Sequence, residues 1–179
     1  IEEIIEVYGR GCYLSFGTEL NANITKVRET NEEYLANIIK SGHGSVLEHG
    51  FVNFEICDVS RVFTHELVRH RVGVAISQES LRYVRLTSLK QWIPSCFRFN
   101  DKAVKIFKRA FQQSEENYAE LLSVDTLGED IDSDKMKRKK ELTSAARRVA
   151  PIGLATNIGW SCNIRNLRHV IENRTAPYA

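Results

Sequence analysis

Apolar residues recur every three or four positions in two stretches near the start of the chain, "IEEIIEVYGRGC" and "TNEEYLANIIKSGHG", and this spacing predicts two amphipathic helices. The second stretch carries its own boundary signals: Thr30 as N-cap, Glu33 three residues later as capping-box partner, and Gly42 as a stop. The period then shortens. In "FVNFEICDVS", Phe51, Asn53, Glu55 and Cys57 alternate with Val52, Phe54 and Ile56, the pattern of a half-buried strand. Ser60 is placed to cap a helix over "RVFTHELVRHR". Across residues 75–86, β-branched and aromatic side chains lie among polar ones, which predicts a turn or loop followed by a strand. "DKAVKIFKRAFQQSEENYAELLS" reads as a long amphipathic helix, and "MKRKKELTSAARRVAP" as another that ends before Pro151. The acidic "VDTLGEDIDSDK" between them reads as a loop. Over residues 163–173, Ile164, Leu167, Val170 and Ile171 share one face, with Arg165, His169 and Glu172 elsewhere, so a final helix is expected.

No repeat, low-complexity tract or linker interrupts this series. The expectation is a single α+β domain over residues 1–179, with a central β-sheet flanked by long helices. The start at Ile1 without a methionine, and the stop directly after "RTAPYA", point to residues missing at both ends. With 25 basic and 23 acidic side chains the net charge is +2, which argues against a general polyanion binder and for a local basic site at most. The four cysteines lie far apart without a CxxC pair, so neither a zinc site nor a disulfide framework is expected, and free thiols fit a reducing, cytoplasmic setting. No apolar run approaches the roughly 20 residues that span a bilayer, and no leader-like segment opens the chain, so no membrane partner is expected.

The densest local chemistry is "RHRVGVAISQESLRYVRL", which gathers arginines, a histidine, two serines and a glutamate. Guanidinium forks match phosphate or carboxylate, so arginines converging near a turn make a phosphate site, with Ser80 and backbone amides around Leu81 as neutral donors. The competing reading is a solvated face paired with Glu66 and Glu79. "GHGSVLEH" raises a second choice. His43, Glu48 and His49 could ligate zinc, but the spacing is not HExxH and no third ligand class is evident, so hydrogen-bonded structural histidines are favoured and no metal is expected. Neither GxSxG nor a P-loop is present.

Taken together, "GHGSVLEH", "THELVRHR" running into "SQESLRY", "ARRVAP" and "NIRNLRHVIENR" resemble, in that order, the flavin-dependent thymidylate synthase family, with the resemblance running over about residues 43–174. The resemblance implies that family's fold and its chemistry: reductive methylation of dUMP at C5 to dTMP. Methylenetetrahydrofolate would supply the carbon, reduced FAD the hydride, and NADPH the electrons that reduce the flavin. It also implies a homotetramer whose active sites are shared between subunits.

By position, the resemblance assigns Arg69, His70 and Arg71 to the flavin, with Arg69 also near the nucleotide, and Ser45, Asn163, Arg165 and His169 to further flavin contacts. His169 stands where the family often has asparagine, and imidazole can also donate a hydrogen bond. Glu66, Gln78, Ser80, Leu81 and Arg82 match positions that hold the ribose and phosphate, and Arg147 and Arg174 match later nucleotide-binding arginines. A buried phosphate dianion needs several charge-assisted donors to offset its desolvation. Arg174 is the implied catalytic group, a permanent cation beside the uracil that stabilises negative charge as C5 becomes nucleophilic. His43 is the second, with a positioning or proton-transfer role. Ser80 has no activating base and is assigned to binding.

One segment departs from the family pattern. "VGVAI" lacks the serine expected shortly after RHR, and the segment is one residue longer. A reshaped ribose pocket would leave UMP, the substrate of relatives in nucleoside-antibiotic synthesis, as an alternative to dUMP. A non-catalytic nucleotide- or RNA-binding module is a further alternative; it predicts steep salt dependence and a colourless protein, and near-neutral charge speaks against it and against a nucleic-acid partner.

Overall fold

The computed structural model describes residues 1–15, 20–83, 88–123 and 135–175. Among the described residues, six helices and three strands follow one another: α1 (Glu2–Tyr13), α2 (Asn31–Lys40), β1 (Phe51–Ser60), α3 (Arg61–Leu67), β2 (Val74–Gln78), α4 (Asp101–Ser123), α5 (Lys135–Ala146), β3 (Ala155–Asn163) and α6 (Ile164–Arg174), with short 3₁₀ turns at Gly44–His49, Ser95–Phe97 and Arg147–Val149. The expected α+β class is the observed one. The acidic loop at residues 124–134 and the end of the 75–86 segment lie outside the described residues.

Local signals explain most of these boundaries. The Thr30 hydroxyl accepts the Glu33 N–H at 3.2 Å, and α2 stops at Lys40 just before Gly42, whose φ of +70° few side chains tolerate. The Ser60 hydroxyl accepts the Phe63 N–H at 3.3 Å and starts α3.

Two expectations are corrected. The helix over "RVFTHELVRHR" ends at Leu67, and Arg69, His70 and Arg71 form the turn beyond it, where Gly73 at φ +64° reverses the chain. In the next segment the leading turn or loop is instead a strand, β2, with a turn at residues 80–83 after it; the strand expected beyond that turn runs outside the described residues.

The sheet has the order β1-β3-β2. Its register runs antiparallel throughout. Along β1 and β3, the Ile164 N–H reaches the Gly50 carbonyl and the Arg61 N–H reaches the Leu154 carbonyl, so one number rises as the other falls. Along β3 and β2, Asn163 N–H pairs with the Gly73 carbonyl and Glu79 N–H with the Asn157 carbonyl. β3 is the central strand. Its Thr156, Ile158, Trp160 and Cys162 are buried in strict alternation, and burial raises the pKa of the Cys162 thiol. β1, an edge strand, is more exposed than its alternation predicts: Phe51 and Phe54 are exposed, and only Ser60 is buried.

The contacts divide the chain into two compact units. The first, Ile1–Phe54, Leu67–Ile76 and Gly159–Ala179, has a core of Ile5, Tyr34, Ile38, Val46 and Leu47 with Ile164 packed against it. Ile5 and Ile38 are almost fully enclosed, each worth roughly 1.5–3 kcal/mol of burial. The second, Glu55–Glu66 and Ser77–Ile158, is built on Leu89, Phe111 and Leu154, with Leu81 and Phe107 against them. Among the described residues, no helix is long and apolar enough to cross a membrane.

Candidate functional site

In the first unit, the turn after α3 meets the start of α6 at Asn163. Asn163 is buried at the junction of β3 and α6, and its side-chain oxygen accepts the Asn166 N–H at 2.8 Å as the helix N-cap. Its backbone N–H donates to the Gly73 carbonyl at 3.0 Å. A Cβ on Gly73 would come within 2.0 Å of the Asn163 amide nitrogen, so the Asn163 side chain can lie against residue 73 as it does only because that residue is glycine.

This junction forms one side of an open cavity of about 410 Å³ lined by Arg69, His70, Arg71, Val72, Asn163, Arg165, Asn166 and His169. The volume falls in the roughly 300–1,000 Å³ range of small-molecule sites. Among the described residues that line it, three carry guanidinium groups and none is acidic, and the N-terminus of α6 adds the positive end of a helix dipole. The two imidazoles meet edge to face with centroids 5.4 Å apart, and Arg174 Nε donates to His70 Nε2 at 3.1 Å. Asn166 is 7% exposed, and its side-chain oxygen is buried with no hydrogen-bond partner among the described residues. An unpaired buried acceptor costs about 1–3 kcal/mol.

Six of the seven residues expected at a flavin therefore line one cavity. The seventh, Ser45, is exposed in the Gly44–His49 turn. In that turn Glu48 pairs with Arg165 at 2.5 Å, an exposed contact worth about 0–1 kcal/mol, which orients the guanidinium. His43 lies just before the turn and lines a separate cavity of about 200 Å³ with Tyr13, Lys26 and Arg28. The Tyr13 ring stacks on it, and the hydroxyl lies 3.1 Å from Nδ1. His49 stacks on Tyr8 with centroids 4.4 Å apart. His43, Glu48 and His49 thus engage three different partners.

The second unit holds Glu66, Gln78, Ser80, Leu81, Arg82 and Arg147. Gln78 Nε2 donates to the Thr64 hydroxyl at 3.0 Å, which fixes the amide at the end of β2 beside α3. The Ser80 hydroxyl accepts the Arg82 N–H at 3.2 Å, and the Tyr83 N–H donates to the Ser80 carbonyl, so these residues form a tight turn with Leu81 packed on the core. Glu66 is half-buried on α3, and Arg147 sits in the 3₁₀ turn after α5.

Arg61 joins this set unannounced by the sequence. Its Nη2 donates to the Glu79 carbonyl at 2.9 Å, while Nε is buried without a partner among the described residues. Burial lowers its pKa, Glu79 opposes the shift and Arg147 reinforces it, so two cations act on each other here. The model of the family described as "Thymidylate synthase complementing protein" matches residues 1–179. The chain belongs to this family.

Relatives named flavin-dependent thymidylate synthase include one from Mycobacteroides abscessus, 34% identical over 177 residues that cover 98% of this chain and 68% of the relative. Another, from Mycobacterium sp. (strain JLS), is 36% identical over 180 residues with the same coverage of both chains. A crystal structure of Thymidylate Synthase X (ThyX) from Helicobacter pylori with FAD and dUMP superimposes with a TM-score of 0.68 at 22% identity, covering 100% of this chain and 81% of that one. That likeness establishes the fold. The chain is thus a member of an enzyme family of methyltransferases, as the four motif blocks imply.

Within this thymidylate synthase family member, three residues escaped sequence reasoning. Arg61 carried one signal: a cation in the first turn of a helix opposes the helix dipole, and α3 has no acidic residue there to relieve it. Asn166 and Val72 carried none, because a polar residue on a helix and an apolar one in a loop are ordinary until the cavity is seen.

Proposed function

We propose that the protein catalyses FAD-dependent methylation of dUMP at C5 to dTMP, with methylenetetrahydrofolate as carbon donor and NADPH as the reductant. The observation that carries the reading is the convergence of Arg69, His70 and Arg71 with Asn163, Arg165 and His169 on one cavity, from segments about 90 residues apart. The donor set suits FAD: guanidinium groups and a helix N-terminus for its pyrophosphate, amides and imidazoles for its neutral parts. The orphaned Asn166 oxygen fits a site that completes its hydrogen bonds on a ligand. When bound and reduced, the flavin supplies the hydride that turns the transferred methylene into a methyl group.

The chain's own residues hold and polarise. Arg61, Arg82 and Arg147, with the Ser80 turn, bind the nucleotide phosphate, and the buried Arg61 Nε gains there the acceptor it lacks. Gln78, held by Thr64, and Glu66 orient the nucleoside. Arg174 sits against the uracil and stabilises the negative charge that develops as C5 attacks, remaining protonated throughout. In the single chain its Nε rests on His70, a contact that fixes the direction of the guanidinium. His43, braced by Tyr13, has a positioning or proton-transfer role beside the flavin and uracil. The active form is a homotetramer with shared sites.

Tritium release from C5-labelled dUMP, with FAD, NADPH and methylenetetrahydrofolate, tests the reading. Wild-type protein releases tritium in proportion to dTMP formed; Arg174→Ala keeps its flavin and loses turnover. Retained turnover in Arg174→Ala removes the role of that residue, and turnover by neither protein removes the function.

A further inference from the structure

Guanidinium groups only donate hydrogen bonds, and phosphate oxygens only accept them, so a cavity built solely for a pyrophosphate needs no acceptor on its wall. Asn166 is such an acceptor. It lies in the first turn of α6, buried, on the same cavity as Arg69, Arg71 and Arg165, with its side-chain oxygen sealed from solvent and unpartnered among the described residues. Its local structural duties are met without the side chain, because the helix cap is made by the Asn163 oxygen to the Asn166 backbone N–H. An alanine or leucine would serve a buried helical position without an unpaired polar atom. The amide is therefore explained by what enters the cavity.

We propose that Asn166 is a further flavin-binding residue, whose buried side-chain oxygen accepts a hydrogen bond from an N–H or O–H of the bound flavin nucleotide. The inference rests on the flavin reading of this cavity. FAD carries such donors on the imide of its ring, on the ribityl chain and on its adenosine. A buried acceptor selects for the donor more than it adds attraction, because a ligand lacking the donor leaves the acceptor unpaired. Asn166 thus complements the arginines: they recognise the charged part of the ligand, and it recognises a neutral part.

The test titrates riboflavin, FMN and FAD into flavin-free full-length protein, wild type and Asn166→Ala, by flavin fluorescence, with urea unfolding of both flavin-free proteins alongside. The expected result is a rise of about three- to tenfold in the Kd for FAD, the size of one neutral hydrogen bond, with flavin-free stability unchanged or raised. A rise for all three flavins places the donor on the ring or ribityl chain, and a rise for FAD alone places it on the adenosine. A Kd for FAD within twofold of wild type, with or without a loss of flavin-free stability, overturns the inference. Wild-type protein that binds no FAD overturns instead the flavin reading on which it rests.

Discussion

Replacing Gly73 by alanine attacks the joint on which the cavity is built. Two terms add. Alanine at φ +64° pays the left-handed backbone penalty of about 1–2 kcal/mol. Its Cβ would also lie 2.0 Å from the Asn163 amide nitrogen, and Asn163 is buried, so the amide must swing away and give up the N-cap bond to Asn166, worth about 0.5–2 kcal/mol. The sum is about 1.5–4 kcal/mol, or a fall of roughly 3–16 °C in Tm for a chain of this size. Urea unfolding of flavin-free protein at fixed concentration measures it, and a double-mutant cycle separates the terms. In an Asn163→Ala background the clash and the cap are already gone, so Gly73→Ala should cost only the backbone term. A penalty below about 0.5 kcal/mol in wild type, or an equal penalty in both backgrounds, refutes the proposed clamp between the RHR turn and α6.

Arg61→Met should weaken dUMP binding about tenfold or more, the loss of a charge-assisted bond, while FAD binding stays as in wild type; calorimetric titration of each ligand checks both, and unchanged dUMP affinity removes Arg61 from the phosphate site. Glu6, on α1 of the first unit, offers a pH-dependent test. The Asn31 amide, against a smaller opposing effect of burial and with help from Arg10, holds its carboxyl below the ordinary carboxylate value. A depressed folded pKa contributes stability above the unfolded value of about 4.3, and that contribution is lost as pH falls through the folded pKa. Glu6→Gln should therefore flatten the acid limb of the stability profile; urea midpoints that fall in parallel for both proteins on acidification would show that Glu6 contributes nothing to it.

The helices were legible because their evidence is local. Thr30 and Gly42 bound α2, and α4 spans the 23 residues of its amphipathic pattern, since capping and periodicity act within a few turns. β3 was not. Its buried face alternates as a strand should, but Ala155, Asn157, Gly159 and Ser161 on the other face are small or weak strand formers, and only the neighbours β1 and β2 make it the centre of a sheet. The same holds for RHR, whose residues continue a helical pattern until the Gly73 turn, tied to Asn163 some 90 residues away, takes them out of it. For the site, motif resemblance named six of the residues that line the cavity, yet Arg61 and Asn166 declare themselves only through buried atoms without partners among the described residues, a property that exists once distant segments meet.

The proposed chemistry stands most directly on one single-turnover experiment: protein loaded with reduced FAD under anaerobic conditions is mixed with dUMP and methylenetetrahydrofolate while flavin absorbance and dTMP are followed together. Oxidised flavin should appear only when both substrates are present, with one dTMP formed for each flavin oxidised. Flavin that stays reduced, or that reoxidises without dTMP, would contradict the assignment of this cavity to a methylating flavoenzyme.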